Sequence, residues 1–478
     1  GQYPADADAV VMMKPVRTVL TLLLLLMVLL APPLVAQEGG RSEGAGPLTL
    51  DQAISAALDA SQETFRARQE VRAARADLAG AKAEFGPTIS AEGGFALIGN
   101  PQEGVSIPTG ALGTAPDPAS TFPQPVPDQP FVLIPDQENL GLSLSIQLEQ
   151  TLFSWGKLQS ARAAAEAELF ASGASLDMTR RQVRRQASES YVALAITEES
   201  LPRVRAIIGL LEERLSDREL QFREGTVTQS AVLAERALLA GGRTQLVRTE
   251  QGVASARAAL AYLTGVDDPQ PQLPGLPDGI PEEQELVSRA LGDYPQLNEL
   301  KAREDQAQVQ VDVLEASRPF LPDIGLTVTA DAQGQRLPLI QANWNDLWTT
   351  NVQITIGARV LLYDYGRNEA QLESARAQAA QAQSGVTELG ESLPLQVRER
   401  VARFAIAQAG LAEADARLAD ATEQDRNASV SFENELISRR DRLGAALQLE
   451  EAELSRLAAL QSLWQAFFAL EELVGPLR

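Results

Sequence analysis

Two absences limit the chemistry open to this chain: its 478 residues include no cysteine and no histidine. Thiol nucleophiles, disulfides and the usual zinc sites are thereby excluded, as is the side chain most used for proton transfer near neutral pH. Carboxylates, hydroxyls, lysines and arginines remain. Their densest constellation is Ser438-Arg439-Arg440-Asp441-Arg442. A serine followed three residues later by an acid, ahead of an apolar run, is the signature of a capping box that opens a helix. Arg180, Arg181, Arg184 and Arg185 stand at helical spacing and read as salt bridges along a helix face rather than as a binding site. An enzyme built on Asp, Glu, Ser and Lys is therefore a poor match, and no cofactor or metal is implied. A net charge of −23 likewise argues against nucleic acid as a partner.

The elements that position these residues occur twice. Leu140–Leu148 and Val352–Val360 alternate apolar with small or polar residues, the period of a strand with one face against an apolar medium. Each passes through an aromatic run, a capping residue (Ser154, Asp364) and a glycine (Gly156, Gly366) into a long Ala-rich stretch that reads as helix. The first such helix runs from about Gly156 to Phe222, with Pro202 expected to kink rather than end it. At about 1.5 Å per residue it spans roughly 100 Å. A turn at Glu224-Gly225 then leads to a second helix ending near Leu263. In that helix Val232, Leu239, Leu246, Val253 and Leu260 recur every seven residues, as in a coiled-coil seam. Phe153 and Tyr363, Gly156 and Gly366, Phe222 and Phe432, and Gly265 and Gly475 are all 210 residues apart. Such self-similarity means one supersecondary unit used twice: helix, β-hairpin, long helix, turn, helix.

The boundaries follow. Residues 12–36 read as a secretory signal, with Lys14 and Arg17 ahead of an apolar core and small residues around Ala36. The first repeat covers 49–265, a Pro-rich linker 266–281, and the second repeat 282–475. Each repeat begins with a helix (about Leu50–Glu84 and Glu282–Ala316) and a strand after a proline (Pro87, Pro322). These prolines are 235 apart, so the first hairpin loop is about 25 residues longer than the second. That loop, 100–137, holds nine prolines and no periodicity, and is expected to be exposed and irregular.

After the signal no long apolar run remains, so a membrane role has to be carried by strands. Four strands cannot close a barrel, and unpaired edges are not tolerated in lipid. The chain is therefore expected to associate with copies of itself, a homotrimer supplying twelve strands. Phe85, Phe153, Trp155, Phe320, Tyr363 and Tyr365 fall at the helix-proximal strand ends, as an interfacial aromatic belt would; the alternative is that they plug the strand–helix junctions.

The paired runs Leu152–Lys157 (Leu-Phe-Ser-Trp-Gly-Lys) and Leu362–Arg367 (Leu-Tyr-Asp-Tyr-Gly-Arg) resemble those of TolC-type outer-membrane efflux proteins, as do the Pro87 and Pro322 strand starts and the Phe222–Gly225 turn. The resemblance spans about 49–475. It implies a mixed α and β fold: a trimeric twelve-stranded transmembrane β-barrel, four strands per subunit, continued by a long α-helical barrel of coiled-coil hairpins. It also implies a passive exit duct, lodged in outer-membrane lipid and extending into the periplasm, that serves a periplasmic adaptor (membrane fusion protein) and an inner-membrane pump.

The aperture that the resemblance implies lies at the hairpin tips. Ser230 occupies the hydroxyl position, but Ala231 stands where an aspartate is usual. Phe432 takes the aromatic position without a hydroxyl, Ile437 replaces a basic residue, Asp441 keeps an aspartate, and Gly444 replaces another acid. Arg439, Arg440 and Arg442 are candidates for a different lock. Three facing copies of Asp441 would favour cations. Thr228 and Ser438 start the second helix of each hairpin, and Gly225 is expected at positive φ in the first tip. Glu435 takes that place in the second, which predicts a different turn. Rival readings are a protein-secretion (type I) duct of the same architecture and a periplasmic coiled-coil adaptor or scaffold. The twofold repeat disfavours the latter.

Overall fold

A capping hydroxyl or a proline starts several of the helices, and a left-handed glycine starts the two longest. The computed structural model describes residues 48–108, 131–134, 138–277, 279–318, 320–337 and 348–477. The expected signal peptide and Trp344 fall outside them. The first repeat comprises α1 (Leu50–Ala60), α2 (Gln62–Ala83), β1 (Thr88–Leu97), β2 (Val105–Ile107), β3 (Phe131–Ile134), β4 (Leu140–Phe153), α3 (Lys157–Arg223) and α4 (Gln229–Thr264). The second comprises α5 (Glu283–Asp293), α6 (Pro295–Ala316), β5 (Asp323–Gly334), β6 (Trp348–Arg359), α7 (Arg367–Glu433) and α8 (Arg439–Val474). Both repeats lie within one compact unit, Pro47–Arg478.

The duplication holds residue by residue along the helices. The long helices α3 and α7 have 67 residues each, and their partners α4 and α8 have 36 each. The α1/α2 and α5/α6 pairs are 11 and 22 residues long in both copies. The opening helix expected in each repeat is thus two helices. Ser61 leaves helical geometry (ψ 120°) and accepts from Thr64 N at 3.2 Å to start α2. In the second copy Pro295 imposes the break by pushing Tyr294 to ψ 115°. The segment 100–137 also departs from expectation, because β2 and β3 pair antiparallel within it. By contrast α3 runs unbroken through Pro202, as expected of a proline in a long helix.

The strands β1, β4, β5 and β6 form one antiparallel sheet in that order. The hairpin registers superimpose: Thr88 opposite Glu149 in the first copy becomes Asp323 opposite Arg359 in the second. One face carries Ile89, Phe95, Leu144, Ile146, Val352, Ile354 and Ile356, all exposed. The other carries Ser90, Glu92, Gln147, Glu149, Thr327, Thr329, Asp331 and Gln353. Among the described residues no helix covers the apolar face. The helices repeat the order of the strands. α3 packs against α2 and α6, α6 against α7, and the hairpins α3–α4 and α7–α8 join through α3 and α8.

The principal core lies where the hairpins meet α1. Trp464, Phe467 and Phe468 pack there with Tyr191, Leu194, Leu260 and Phe404. The heptad seam enters the interior as predicted, with Val232, Leu239 and Leu260 buried and Leu246 and Val253 packed against cores. The Tyr191 hydroxyl lies 2.8 Å from the Leu48 carbonyl and accepts from Gln272 N at 3.0 Å, tying both ends of the first repeat to α3. Among the described residues no helix is long and apolar enough to cross a membrane.

At the outer end of the β5–β6 hairpin, a Cβ at Gly334 would lie 2.2 Å from the ring of Trp348, which donates from its indole N–H to Arg336 O at 2.9 Å. Gly334→Ala is therefore expected to lower stability by about 1–3 kcal/mol, the usual cost of overpacking. The check is a downward shift in the thermal midpoint that adding Trp348→Ala partly relieves.

Candidate functional site

The residues singled out in the sequence gather at the two ends of the long helices. At the upper end each strand turns into its helix through two successive left-handed residues. These are Trp155 (φ 53°) with Gly156 (φ 91°), and Tyr365 (φ 59°) with Gly366 (φ 76°). A bulky residue at positive φ is costly and persists only where its surroundings hold it. Trp155 is held by its indole N–H, which donates to Pro322 O at 3.0 Å, and by an edge-to-face contact with Phe153 at 5.0 Å. Beside it Lys157 pairs with Asp323 at 2.7 Å, joining the start of α3 to the start of β5. In the second copy Asp364 accepts from Gly366 N (3.1 Å) and Asn368 N (2.8 Å), the capping role expected of it. Tyr363 and Tyr365 stand 5.0 Å apart. Phe320 (φ 72°) donates its backbone N–H to Leu361 O at 2.9 Å. All six aromatics, Phe85 included, are exposed in the single subunit.

At the lower end the two tips share one turn. Gly225 has φ 74° and donates to Phe222 O, while Thr226 N donates to Gln221 O. Glu435 has φ 64° and donates to Phe432 O, while Leu436 N donates to Ser431 O. The expectation of a differently built second turn is therefore wrong. Closing a 67-residue helix onto a 36-residue one at the same point imposes the left-handed residue whatever its type. Phe222, Phe432 and Leu436 are exposed at these tips. Thr228 starts α4, its hydroxyl 2.8 Å from that of Ser230.

Ser438 and Asp441 form the reciprocal capping box, Asp441 N donating to Ser438 Oγ at 3.2 Å and Ser438 N to the Asp441 carboxylate at 3.4 Å, which also accepts from Ser438 Oγ at 2.7 Å. The Asp441 carboxylate is thus engaged within its own turn. Arg439 reaches across to Glu213 of α3 at 3.2 Å, bridging the two hairpins. Arg440 and Arg442 have no ion-pair partner among the described residues.

Two arrangements were hidden from sequence reading. Above the first tip Glu235 is buried and meets Arg214 at 2.9 Å and Arg218 at 3.9 Å. The spacing of the two arginines, four apart on α3, was the available sign, but Gln424, Ala428 and Ala445 fill the matching places in the second repeat. Arg180 and Arg185 make the expected face pairs with Asp177 and Glu189. Arg181 does not. It donates to Asp293 O (2.8 Å), Leu473 O (3.1 Å) and Glu472 O (3.3 Å), closing the ends of α5 and α8, and burial lowers its pKa.

A profile of the outer membrane efflux protein family matches residues 53–266 and 286–476, both repeats on either side of the linker. The chain belongs to this family. The cobalt-zinc-cadmium resistance protein CzcC of Cupriavidus metallidurans is 24% identical over 437 residues, 91% of either chain. Among solved structures, the outer membrane protein VceC of Vibrio cholerae aligns with TM-score 0.67 at 18% identity, covering 89% of this chain and 96% of that one. The CmeC outer membrane channel of Campylobacter jejuni aligns with TM-score 0.68 at 15% identity, covering 93% and 94%. The chain is an outer-membrane efflux channel protein, mixed α and β and mostly helical, with a four-stranded sheet.

The second tip supplies a test of the shared turn. Glu435→Gly is expected to raise stability by about 1 kcal/mol, because glycine adopts positive φ without a Cβ penalty. Gly225→Ala should lower it by a similar amount. Thermal midpoints moving in opposite directions for the two variants would bear this out, and equal shifts would refute it.

Proposed function

We propose that three copies of the chain close a twelve-stranded barrel in the outer membrane. The hairpins continue it as a hollow tube into the periplasm, and the whole is the passive exit duct of a pump in the inner membrane joined through a periplasmic adaptor. One observation carries this reading: a sheet with one polar face, whose apolar face is bare and whose two edges, β1 and β6, are unpaired among the described residues. Lipid takes the apolar face and water the polar one. The exposed aromatics of the junctions then lie at one level, as a belt at the membrane–water boundary does. The tips, with Phe222 and Phe432 exposed and Arg440 without an ion-pair partner among the described residues, form the periplasmic aperture.

The cargo class follows from charge. On the polar face of the sheet Glu92, Glu149 and Asp331 outnumber Arg359, Asp323 being neutralised by Lys157. A ring of carboxylates in a narrow pore draws cations and repels anions. A relative named for cobalt, zinc and cadmium resistance fits the same preference. We therefore assign small cationic solutes or metal ions as cargo, with no chemical step in their passage.

Purified protein should run as a heat-labile trimer from outer-membrane fractions, and a lipid-indifferent monomer would overturn the assembly. In planar bilayers the reversal potential under a salt gradient should report cation selectivity. Asp331→Asn with Glu149→Gln should lower the cation-to-anion permeability ratio several-fold. An anion-selective wild type, or a ratio the variant leaves unchanged, would overturn the cargo assignment alone.

A further inference from the structure

The duplication specifies how one subunit meets the next. Within the chain, repeat one joins repeat two along β4–β5 and along α3–α8. The free edges carry the matching elements with the repeats exchanged: β6 in place of β4, β1 in place of β5, α7 in place of α3, α4 in place of α8. β4 maps onto β6 with a displacement of 210 residues, and β1 onto β5 with 235, as the superimposed hairpin registers show. Carrying the observed β4–β5 pairing across these displacements gives a register for β6 against β1 of a second copy. Ile146 opposite Ala330 becomes Ile356 opposite Phe95. Leu144 opposite Ala332 becomes Ile354 opposite Leu97. Glu149 opposite Thr327 becomes Arg359 opposite Glu92.

Nothing in the transfer required those side chains to match, yet they do. The apolar residues stay together on the apolar face. On the polar face the one cation of β6 falls directly opposite the one anion of β1. Neither Arg359 nor Glu92 has an ion-pair partner among the described residues. Directly opposed residues on neighbouring strands hold their Cβ atoms about 5 Å apart, within reach for this pair.

The helices agree independently. Ile196 of α3 and Leu457 of α8 are buried in the same core at 3% and 4% exposure. Their counterparts on the free edges, Ile406 of α7 and Val247 of α4, are 71% and 58% exposed. The internal ion pair of Arg185 with Glu472 corresponds to Leu395 and Tyr262, which are 62% and 86% exposed. Apolar residues thus stand bare at the places whose internal equivalents share a core or an ion pair.

From this we infer that the subunit edge is a second copy of the junction between the repeats. Its register is set by Arg359 against Glu92 of the neighbour, and its helical part is sealed by Ile406 on Val247 and Leu395 on Tyr262. This rests on the assembly proposed above and adds the residues that set its register.

The cysteine-free sequence makes the test direct. The double variant Glu92→Cys with Arg359→Cys, oxidised in isolated outer membranes, should give reducible covalent trimers on a denaturing gel. Gly94→Cys with Arg359→Cys, two residues out of register, should give few or none, because opposed Cβ atoms must lie about 4 Å apart for a disulfide. Trimers that cross-link only in the shifted pair, or in neither, would overturn the register while leaving the assembly standing. A monomer by sizing would remove the assembly and the register together. Charge exchange guards against a cysteine variant that fails to assemble. Arg359→Glu and Glu92→Arg should each reduce the trimer fraction surviving heat, and the two combined should restore most of it. Absence of restoration would count against the pair.

Discussion

The organising constraint is the row of backbone N–H and C=O groups along β1 and β6 that have no partner within the sheet. In water such groups hydrogen-bond to solvent. In hydrocarbon each unsatisfied group costs several kcal/mol, so a four-stranded sheet placed in a membrane would be incomplete as a folding unit. The bare apolar face raises the same demand from the other direction, since none of the described residues covers it. Both demands fall on the strands, while the helical part has cores of its own around Trp464 and Leu286. The unit is well packed below the sheet and open around it.

Duplication is what makes that arrangement economical. One pattern of strand, left-handed turn and long helix is used twice, with Trp155–Gly156 and Tyr365–Gly366 in the same conformation though their neighbours differ. Internal contacts hold the first of these junctions: Trp155 has the Pro322 carbonyl and Lys157 has Asp323. Tyr365 and Arg367 occupy the matching places with Tyr365 almost fully exposed, because β6 is an edge strand with no further strand beside it among the described residues. The two copies also diverge inside. A buried Glu235 between Arg214 and Arg218 braces only the first hairpin, and the reciprocal capping box of Ser438 and Asp441 only the second.

Much of this was legible in the sequence because it is periodic. Alternation along 140–148 and 352–360 identified strands, heptads from Val232 to Leu260 identified a seam, and the constant 210-residue displacement identified the repeat. What escaped has no local period. Arg181 looks like any arginine on a helix face until the carbonyl ends of α5 and α8 arrive beside it from more than a hundred residues away. The β2–β3 ladder is too short, and its surroundings too rich in proline, for alternation to register. The break at Ser61 hides because serine is tolerated within a helix, and only its contact with Thr64 N discloses a cap. Glu435 misled for a different reason. Its conformation is dictated by where two helices must meet rather than by its own preference, so residue type was the wrong guide.

The equal helix lengths carry a consequence for how such a chain can change over generations. Along 67 and 36 residues the copies have drifted apart in composition while neither has gained nor lost a position. A single inserted residue would turn everything beyond it by about 100° and advance it by about 1.5 Å. The seam would then face outward and the two tips would stand at different heights. The hairpin loops face no such restriction, and there the copies differ by some 25 positions, as Pro87 to Pro322 against Gly156 to Gly366 shows. Substitution is therefore open to the whole chain, but insertion and deletion are confined to the loops and the linker.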